Sequence, residues 1–255
     1  MKKVVLSMFV ATLIFGSCKN ESSKAEPNVS LNDIALAETI VEEVAPQYLY
    51  VSASSGLSLR EYNNLKSNRV AKMPYGTKVK VITQEKNLTM NVGGIEGGMN
   101  EVEFNQKKGF AFNGYLSKFF PPEIDVKVKG YAEELQTYFP QVGYIESSGG
   151  SASKPSNSKT LLLPAALWQE AFFIAQQLFD IPKEFNFPTP KGKNKQVIQC
   201  TKSKDKGWKN QLEVTRENNQ LKKIEFLYES QNFDKTISIQ KEGANMKILE
   251  IETIN

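Results

Sequence analysis

The sequence predicts a mainly β chain with an α+β part: a small β-barrel comes first, then an antiparallel meander sheet packed on a buried helix. Two observations carry this prediction. Between residues 48 and 120, short stretches of alternating polarity are separated by turn residues about every ten positions, as in small all-β domains. After residue 195 the apolar period is again 2, and a helical segment that is apolar on most sides precedes that region.

The first 18 residues have the order of a bacterial secretory signal. Two lysines are followed by an apolar stretch from Val4 to Phe15, which is too short to cross roughly 30 Å of hydrocarbon. The sequence Phe15-Gly16-Ser17-Cys18 resembles the lipobox of bacterial lipoproteins, with Phe15 where leucine is usual. The resemblance implies that residues 1–18 are a lipoprotein signal peptide and that Cys18 carries the lipid. The alternative is an ordinary secreted protein with a cysteine at the cleavage point.

The next segment indicates how the protein meets the membrane. Residues 19–46 are predicted to be a tether, because the stretch to Ser30 is rich in Ser, Asn, Glu and Pro and has little to bury. Lys19 stands where an aspartate would resemble an inner-membrane retention signal, which favours the outer membrane. Lys19-Asn20-Glu21 also resembles the surface-export signal of some lipoproteins. The sequence therefore leaves two placements, on the periplasmic face or on the surface face of the outer membrane.

The composition excludes several classes of chemistry. The chain has no histidine, which excludes Cys-His peptidases, Ser-His-Asp hydrolases and histidine-ligated zinc sites. Its net charge of +4 at pH 7 falls by two with the signal peptide, and so weak a balance predicts no nucleic-acid partner. Cys200 is the only cysteine besides Cys18, so no intramolecular disulfide remains after lipidation. No motif predicts a catalytic residue, a metal or a cofactor.

Residues 47–121 contain three segments that carry a family resemblance. They are residues 51–60, which end in Gly-Leu-Ser-Leu-Arg, residues 73–81, which contain Gly-Thr-Lys-Val-Lys-Val, and residues 109–116, which end in Gly-Tyr-Leu. In order and spacing these segments resemble the bacterial SH3-like (SH3b) domain, although Ser58 stands where Asn is usual and Met99 lies near the expected Trp.

That resemblance implies a small SH3-like β-barrel that binds a peptide. The ligand would be a cell-wall (peptidoglycan) stem peptide or a segment of an envelope protein. The aromatic residues near the predicted loops of the module are Tyr62, Tyr75 and Phe112, and they are the predicted ligand-binding residues. Plain packing in the core is the alternative role for all three.

Residues 122–255 predict an α+β domain of unknown function and resemble no family known to us. A helix that includes residues 128–138 is predicted to end before Pro140, and residues 147–159 are predicted to form a mobile loop. A buried helix is predicted from Pro164 to Phe179. The predicted strands of the meander are Gln211–Arg216, Leu221–Tyr228, Lys235–Gln240 and Met246–Thr253.

The predicted core of this second region joins the helix to the meander. Trp168, Phe172, Ala175 and Phe179 share one side of the helix. They are expected to cover the sheet face that carries Ile224, Phe226, Ile237 and Ile239.

The sequence therefore favours a non-catalytic lipoprotein of the cell envelope that binds a peptide or protein. One alternative is an envelope hydrolase that uses carboxylates of the second region, for which Glu213, Glu225 and Glu250 are candidates. The alternation of the strands predicts that these carboxylates are solvated, which disfavours the hydrolase. A second alternative is a structural subunit of an envelope assembly, in which the SH3-like module only spaces the second region.

Overall fold

The computed structural model describes residues 47–200 and 208–255, and this part of the chain is mainly β with two α-helices. The predicted signal peptide, Cys18, and the tether lie outside the described residues. Strand pairing is antiparallel throughout the described part, which agrees with the prediction for the meander of the second region. Neither of the two helices there is long and apolar enough to cross a membrane.

A first sheet of seven strands is built from residues 48–117. Its strands are β1 (Tyr48–Val51), β2 (Leu57–Arg60), β3 (Arg69–Met73), β4 (Lys78–Thr83), β7 (Met99–Phe104), β8 (Lys107–Phe112) and β9 (Leu116–Ser117). A separate small hairpin is formed by β5 (Met90–Val92) and β6 (Ile95–Gly97). The hydrogen-bonded order is β3-β2-β8-β7-β4-β1-β9. In the described residues this order is open at both ends, so the sheet does not close by hydrogen bonds into the predicted barrel.

Alternating side chains explain why these segments form strands around a core. Val79 and Val81 of β4 are buried while the lysines between and beside them are exposed, as the sequence predicts. Leu57 and Leu59 of β2 alternate in the same way. These inward residues form the core of the first sheet.

A second sheet of seven strands is built from residues 143–254. Its strands are β10 (Gly143–Ser151), β11 (Lys154–Pro164), β12 (Lys195–Gln199), β13 (Lys209–Glu217), β14 (Gln220–Glu229), β15 (Phe233–Glu242) and β16 (Asn245–Ile254), in the order β10-β11-β16-β15-β14-β13-β12. The four strands of the predicted meander are present and extend one or two residues beyond the predicted bounds at each end. Asn218 and Asn219 join β13 to β14 with φ of 51° and 58°, as a tight hairpin turn requires.

The prediction of a mobile loop at residues 147–159 is wrong. Those residues belong to the long hairpin of β10 and β11, and β11 also pairs along β16. The polar composition of these residues suggested a loop. The hairpin instead forms one edge of the sheet, where backbone hydrogen bonds rather than buried apolar side chains hold the strand. Gly150, with φ of 82°, is placed where a Cβ atom would clash with the carbonyl oxygen of Lys154.

The two helices are α1 (Val128–Gln136) and α2 (Trp168–Leu178). The prediction that Pro164 occupies a first helical position is wrong, because Pro164 ends β11 opposite Asn245. Helix α2 instead starts after Leu167, whose backbone N–H donates to the Glu170 side chain at 2.8 Å. This bond satisfies one of the donors that a helix start leaves free.

Helix α2 lies against the second sheet and supplies its core. Phe172, Ala175 and Phe179 are almost fully buried, whereas Trp168 is only half-buried. The helix contacts β15 and β16. The predicted sheet residues, which lie on the sheet face that α2 packs against, are all buried: Ile224, Phe226, Ile237 and Ile239. Here the pattern of the sequence located the core correctly.

A buried carboxylate connects the two sheets. Glu170 of α2 is 6% exposed, and its Oε1 accepts hydrogen bonds from the Ser117 hydroxyl at 2.8 Å and the Lys118 backbone N–H at 3.1 Å. The Lys118 ammonium in turn donates to the Pro164 carbonyl at 2.8 Å. The end of the first sheet is therefore attached to the start of α2 by charged hydrogen bonds that water does not reach freely.

Candidate functional site

A groove whose lining includes five aromatic residues runs beside the first sheet. It has a volume of about 700 Å³. We call it the aromatic groove and define it by its aromatic residues, Tyr50, Tyr75, Phe120, Tyr131 and Tyr138. Glu123, Ile124, Val126, Glu134 and residues 121–122 complete much of the lining.

Four separate parts of the chain bring these aromatic rings together. Tyr50 lies on β1, and Tyr75 lies in the turn that precedes β4. Phe120 follows β9. Tyr131 lies in α1, and Tyr138 lies two residues beyond that helix, one turn after Glu134. Both the first sheet and the beginning of the second region therefore contribute to the aromatic groove.

Phe120 is at the centre of the aromatic contacts. Its ring centroid lies 6.0 Å from that of Tyr50, 5.6 Å from that of Tyr131 and 6.1 Å from that of Tyr138. The interplanar angles are 74°, 82° and 77°. Edge-to-face contacts of this kind are favourable because the positive ring edge meets the negative ring face. They fix the rings as walls at near right angles.

Two tyrosine hydroxyls hold the chain that forms one side of the groove. Tyr75 donates to the carbonyl of Pro122 at 3.0 Å, and Tyr131 donates to the carbonyl of Phe120 at 2.8 Å. Burial raises the pKa of Tyr75 to about 12 and raises the pKa of Tyr131 well above its ordinary value. Both phenols therefore stay protonated and act as donors at neutral pH.

The charge of the aromatic groove is negative. Among the residues that the structure describes, the charged side chains in its lining are Glu123 and Glu134, and both residues are exposed. Lys78 lies outside the lining, with Nζ 4.6 Å from the centroid of Tyr48 and 6.0 Å from that of Tyr50. The groove is thus acidic in a chain whose net charge is positive.

The structure separates the three aromatic residues predicted to bind a ligand. Tyr75 lies in the aromatic groove. Tyr62 lies beyond β2 with 62% of its surface exposed, and neither it nor Phe112 lines the groove. Phe112 is only 3% exposed and packs edge-on against Tyr115 at 5.9 Å. A direct ligand contact by Phe112 would require its ring to leave the core.

The three carboxylates proposed for a hydrolase do not lie on the same face of the second sheet. Glu213 and Glu225 are paired directly across β13 and β14, and Glu225 binds the Lys223 ammonium at 2.7 Å. Glu250 pairs with Ile237 in the sheet register, on the face that also carries the apolar core. The prediction that Glu250 is solvated is wrong, because that residue is only 4% exposed.

Two lysines explain how Glu250 is tolerated inside the protein. Its carboxylate lies 2.7 Å from the Lys159 ammonium and 3.4 Å from that of Lys235. A buried charge is costly unless it is paired in this way. Within residues 47–200 and 208–255, no group of three or more His, Cys, Asp or Glu side chains is placed to hold a metal ion.

A second cleft, of about 830 Å³, lies across residues 124–126 from the aromatic groove. Its lining mixes signs of charge and includes Tyr144, Glu146, Lys159 and Asp180. Glu146 accepts hydrogen bonds from Tyr144 at 2.9 Å and Asn157 at 3.3 Å, and these bonds lower the pKa of its carboxyl group. Glu146 is thus held by polar neighbours rather than left free for a ligand.

Comparisons with known proteins assign no family to this arrangement. The chain matches no known protein-family model, no curated protein and no solved structure. The functional proposal accordingly rests on the residues and the geometry of the aromatic groove.

Proposed function

We propose that the chain is a non-catalytic lipoprotein of the cell envelope whose N-terminal SH3-like module binds a peptide in the aromatic groove. In this proposal the first sheet is the module, and acyl chains on Cys18 hold the protein at the outer membrane. The resemblance of residues 51–60, 73–81 and 109–116 supports the module. The observation that carries the binding function is the aromatic groove itself.

The lining of the groove suits an extended peptide better than a compact polar molecule. Grooves lined by aromatic side chains are a recurring way of binding extended peptides. The chain's own segment of Phe120 and two prolines lies in such contacts, with two tyrosine hydroxyls donating to its carbonyls. A ligand peptide would lie beside this segment, against the exposed ring of Tyr138. The ligand we favour is the stem peptide of the cell wall.

Sedimentation with purified peptidoglycan tests this function. We expect the chain from residue 18 onward to sediment with peptidoglycan and the variant Tyr138→Ser to sediment at least about threefold less, since aromatic anchors contribute a large share of binding energy. Tyr138 is 68% exposed, so the substitution leaves the fold intact. Tyr62→Ser is the matched control, because Tyr62 is similarly exposed, at 62%, but lies outside the groove. Wild-type protein that stays in the supernatant would exclude the cell wall as the ligand.

The anchor is tested separately by Cys18→Ser. The variant should no longer incorporate labelled palmitate and should leave the membrane fraction, because at least two acyl chains are needed for stable anchoring. Cys200→Ser is the control and should stay in the membrane fraction, since Cys200 directly follows β12 and lies far in sequence from the predicted lipobox. Palmitate labelling that persists in Cys18→Ser would contradict the lipoprotein assignment.

A further inference from the structure

We infer that the peptide bound by the aromatic groove carries a side-chain ammonium group, which lies against the open ring surfaces of Phe120, Tyr50 and Tyr138 with Glu134 beside it. This inference rests on the proposed function and names the ligand chemistry of the same site. Two independent features of the groove lead to it, namely the arrangement of its rings and the sign of its charge.

The arrangement of the rings fits a small organic cation. The rings of Tyr50 and Tyr138 stand at 74° and 77° to Phe120, and all three line the groove with part of their surface open. Tyr131 is only 1% exposed, so its ring supports Phe120 from inside and offers no face to a ligand. An ammonium group is attracted to the negative face of an aromatic ring within roughly 6 Å of its centroid. Walls at near right angles allow one cation to approach more than one ring. A purely aliphatic side chain gains no such attraction.

The charge of the lining points to the same ligand. Within the described part of the chain, Glu123 and Glu134 are the charged lining residues, and neither makes an ion pair there. The neighbouring Glu133 differs, because its carboxylate lies 3.9 Å from the Lys129 ammonium. An ammonium group of the ligand would complement the two carboxylates, whereas a carboxylate at the same position would be repelled.

The first sheet already places lysines over aromatic rings in this way. Lys78 Nζ lies 4.6 Å from the ring centroid of Tyr48, and Lys118 Nζ lies 4.8 Å from that of Phe119. Lys78 is also 6.0 Å from the centroid of Tyr50, so its charge opposes a second cation nearby. Removal of that charge should therefore strengthen binding of a cationic peptide.

Three synthetic stem peptides that differ at one side chain test the inference by isothermal titration calorimetry. The peptides carry lysine, Nε-acetyl-lysine or norleucine at the same position, and the protein is the chain from residue 18 onward with Cys18→Ser. We expect the lysine peptide to bind roughly tenfold more tightly than the other two, the size of one good cation–π contact with a nearby carboxylate. Glu134→Gln should weaken the lysine peptide about threefold and leave the norleucine peptide unchanged.

Glu133→Gln is the matched control, because Glu133 lies one residue away and does not line the groove. Lys78→Gln should tighten the lysine peptide alone. Equal affinities for the three peptides would overturn the inference while leaving peptide binding intact. If none of the three peptides binds, the proposed function fails together with the inference. An equal loss for Glu133→Gln and Glu134→Gln would show that only long-range charge acts, and would also overturn the assignment of the ammonium site.

Discussion

Phe172→Ala is expected to lower the free energy of unfolding by about 3–5 kcal/mol, which is the usual cost of removing a buried phenylalanine ring from a core. Phe172 has no exposed surface, and its ring contacts those of Phe173 at 5.9 Å and Phe187 at 5.7 Å. These partners belong to a helix and to the segment after it, so the cavity cannot close by moving one side chain. Urea unfolding followed by far-UV circular dichroism measures the change.

This loss is large against the roughly 5–15 kcal/mol that stabilises a domain. Ile145→Ala is the matched control, because Ile145 is 60% exposed on the edge strand and should change the stability by less than about 0.5 kcal/mol. An unchanged unfolding midpoint for Phe172→Ala would show that α2 is not the core helix of the second sheet.

Glu170→Ala is expected to cost about 3–5 kcal/mol, because three donors lose a charged acceptor inside the protein. The donors are the Ser117 hydroxyl and the backbone N–H groups of Lys118 and Leu167. Hydrogen bonds to a charged group contribute about 1.5–3 kcal/mol each, and a buried donor left without a partner carries a further cost. The same urea experiment measures the loss, and differential scanning calorimetry shows whether one transition or two are affected.

Glu170→Gln separates the charge from the shape of the side chain. It keeps one amide oxygen as an acceptor, so its cost should be about half that of Glu170→Ala. The sequence predicts that residues 47–121 and 122–255 are separate domains. If they unfold separately, the two calorimetric transitions should overlap less in both variants than in the wild type, because Glu170 no longer couples the domains. A stability of Glu170→Ala within about 0.5 kcal/mol of the wild type would contradict the role of this carboxylate as the connection between the sheets.

The strands and the core could be predicted because their patterns are local. The alternation of Val79 and Val81 in β4 and of Ile224 and Phe226 in β14 fixes which side chains face inward without knowledge of the neighbours. The helical spacing of Phe172, Ala175 and Phe179 does the same for α2.

The sequence-based predictions are wrong where residues distant in the sequence determine the structure. The hairpin of β10 and β11 looks like a loop in the sequence, and only its pairing with β16 makes it a sheet edge. Glu250 looks solvated until Lys159 and Lys235, from two other strands, are placed beside it. Neither effect has a local pattern that could have shown it.

The candidate site was only partly accessible from the sequence for the same reason. Tyr75 was found because it lies in a recognisable turn. Tyr50, Phe120, Tyr131 and Tyr138 were missed, because strand β1, the segment after β9 and helix α1 with the residues after it meet only in the folded chain. The one local hint was the pair of prolines after Phe120, which the sequence suggests only as a boundary.

Amide chemical shifts measured by NMR during titration with the lysine stem peptide test the central claim most directly. The protein is the isotope-labelled chain from residue 18 onward with Cys18→Ser. If the aromatic groove is the binding site, the largest shifts should occur at Tyr50, Tyr75, Phe120 and Tyr138, and they should saturate as peptide is added. Shifts confined to the loop around Tyr62 or to the second sheet, or no shifts at millimolar peptide, would contradict the assignment of the groove.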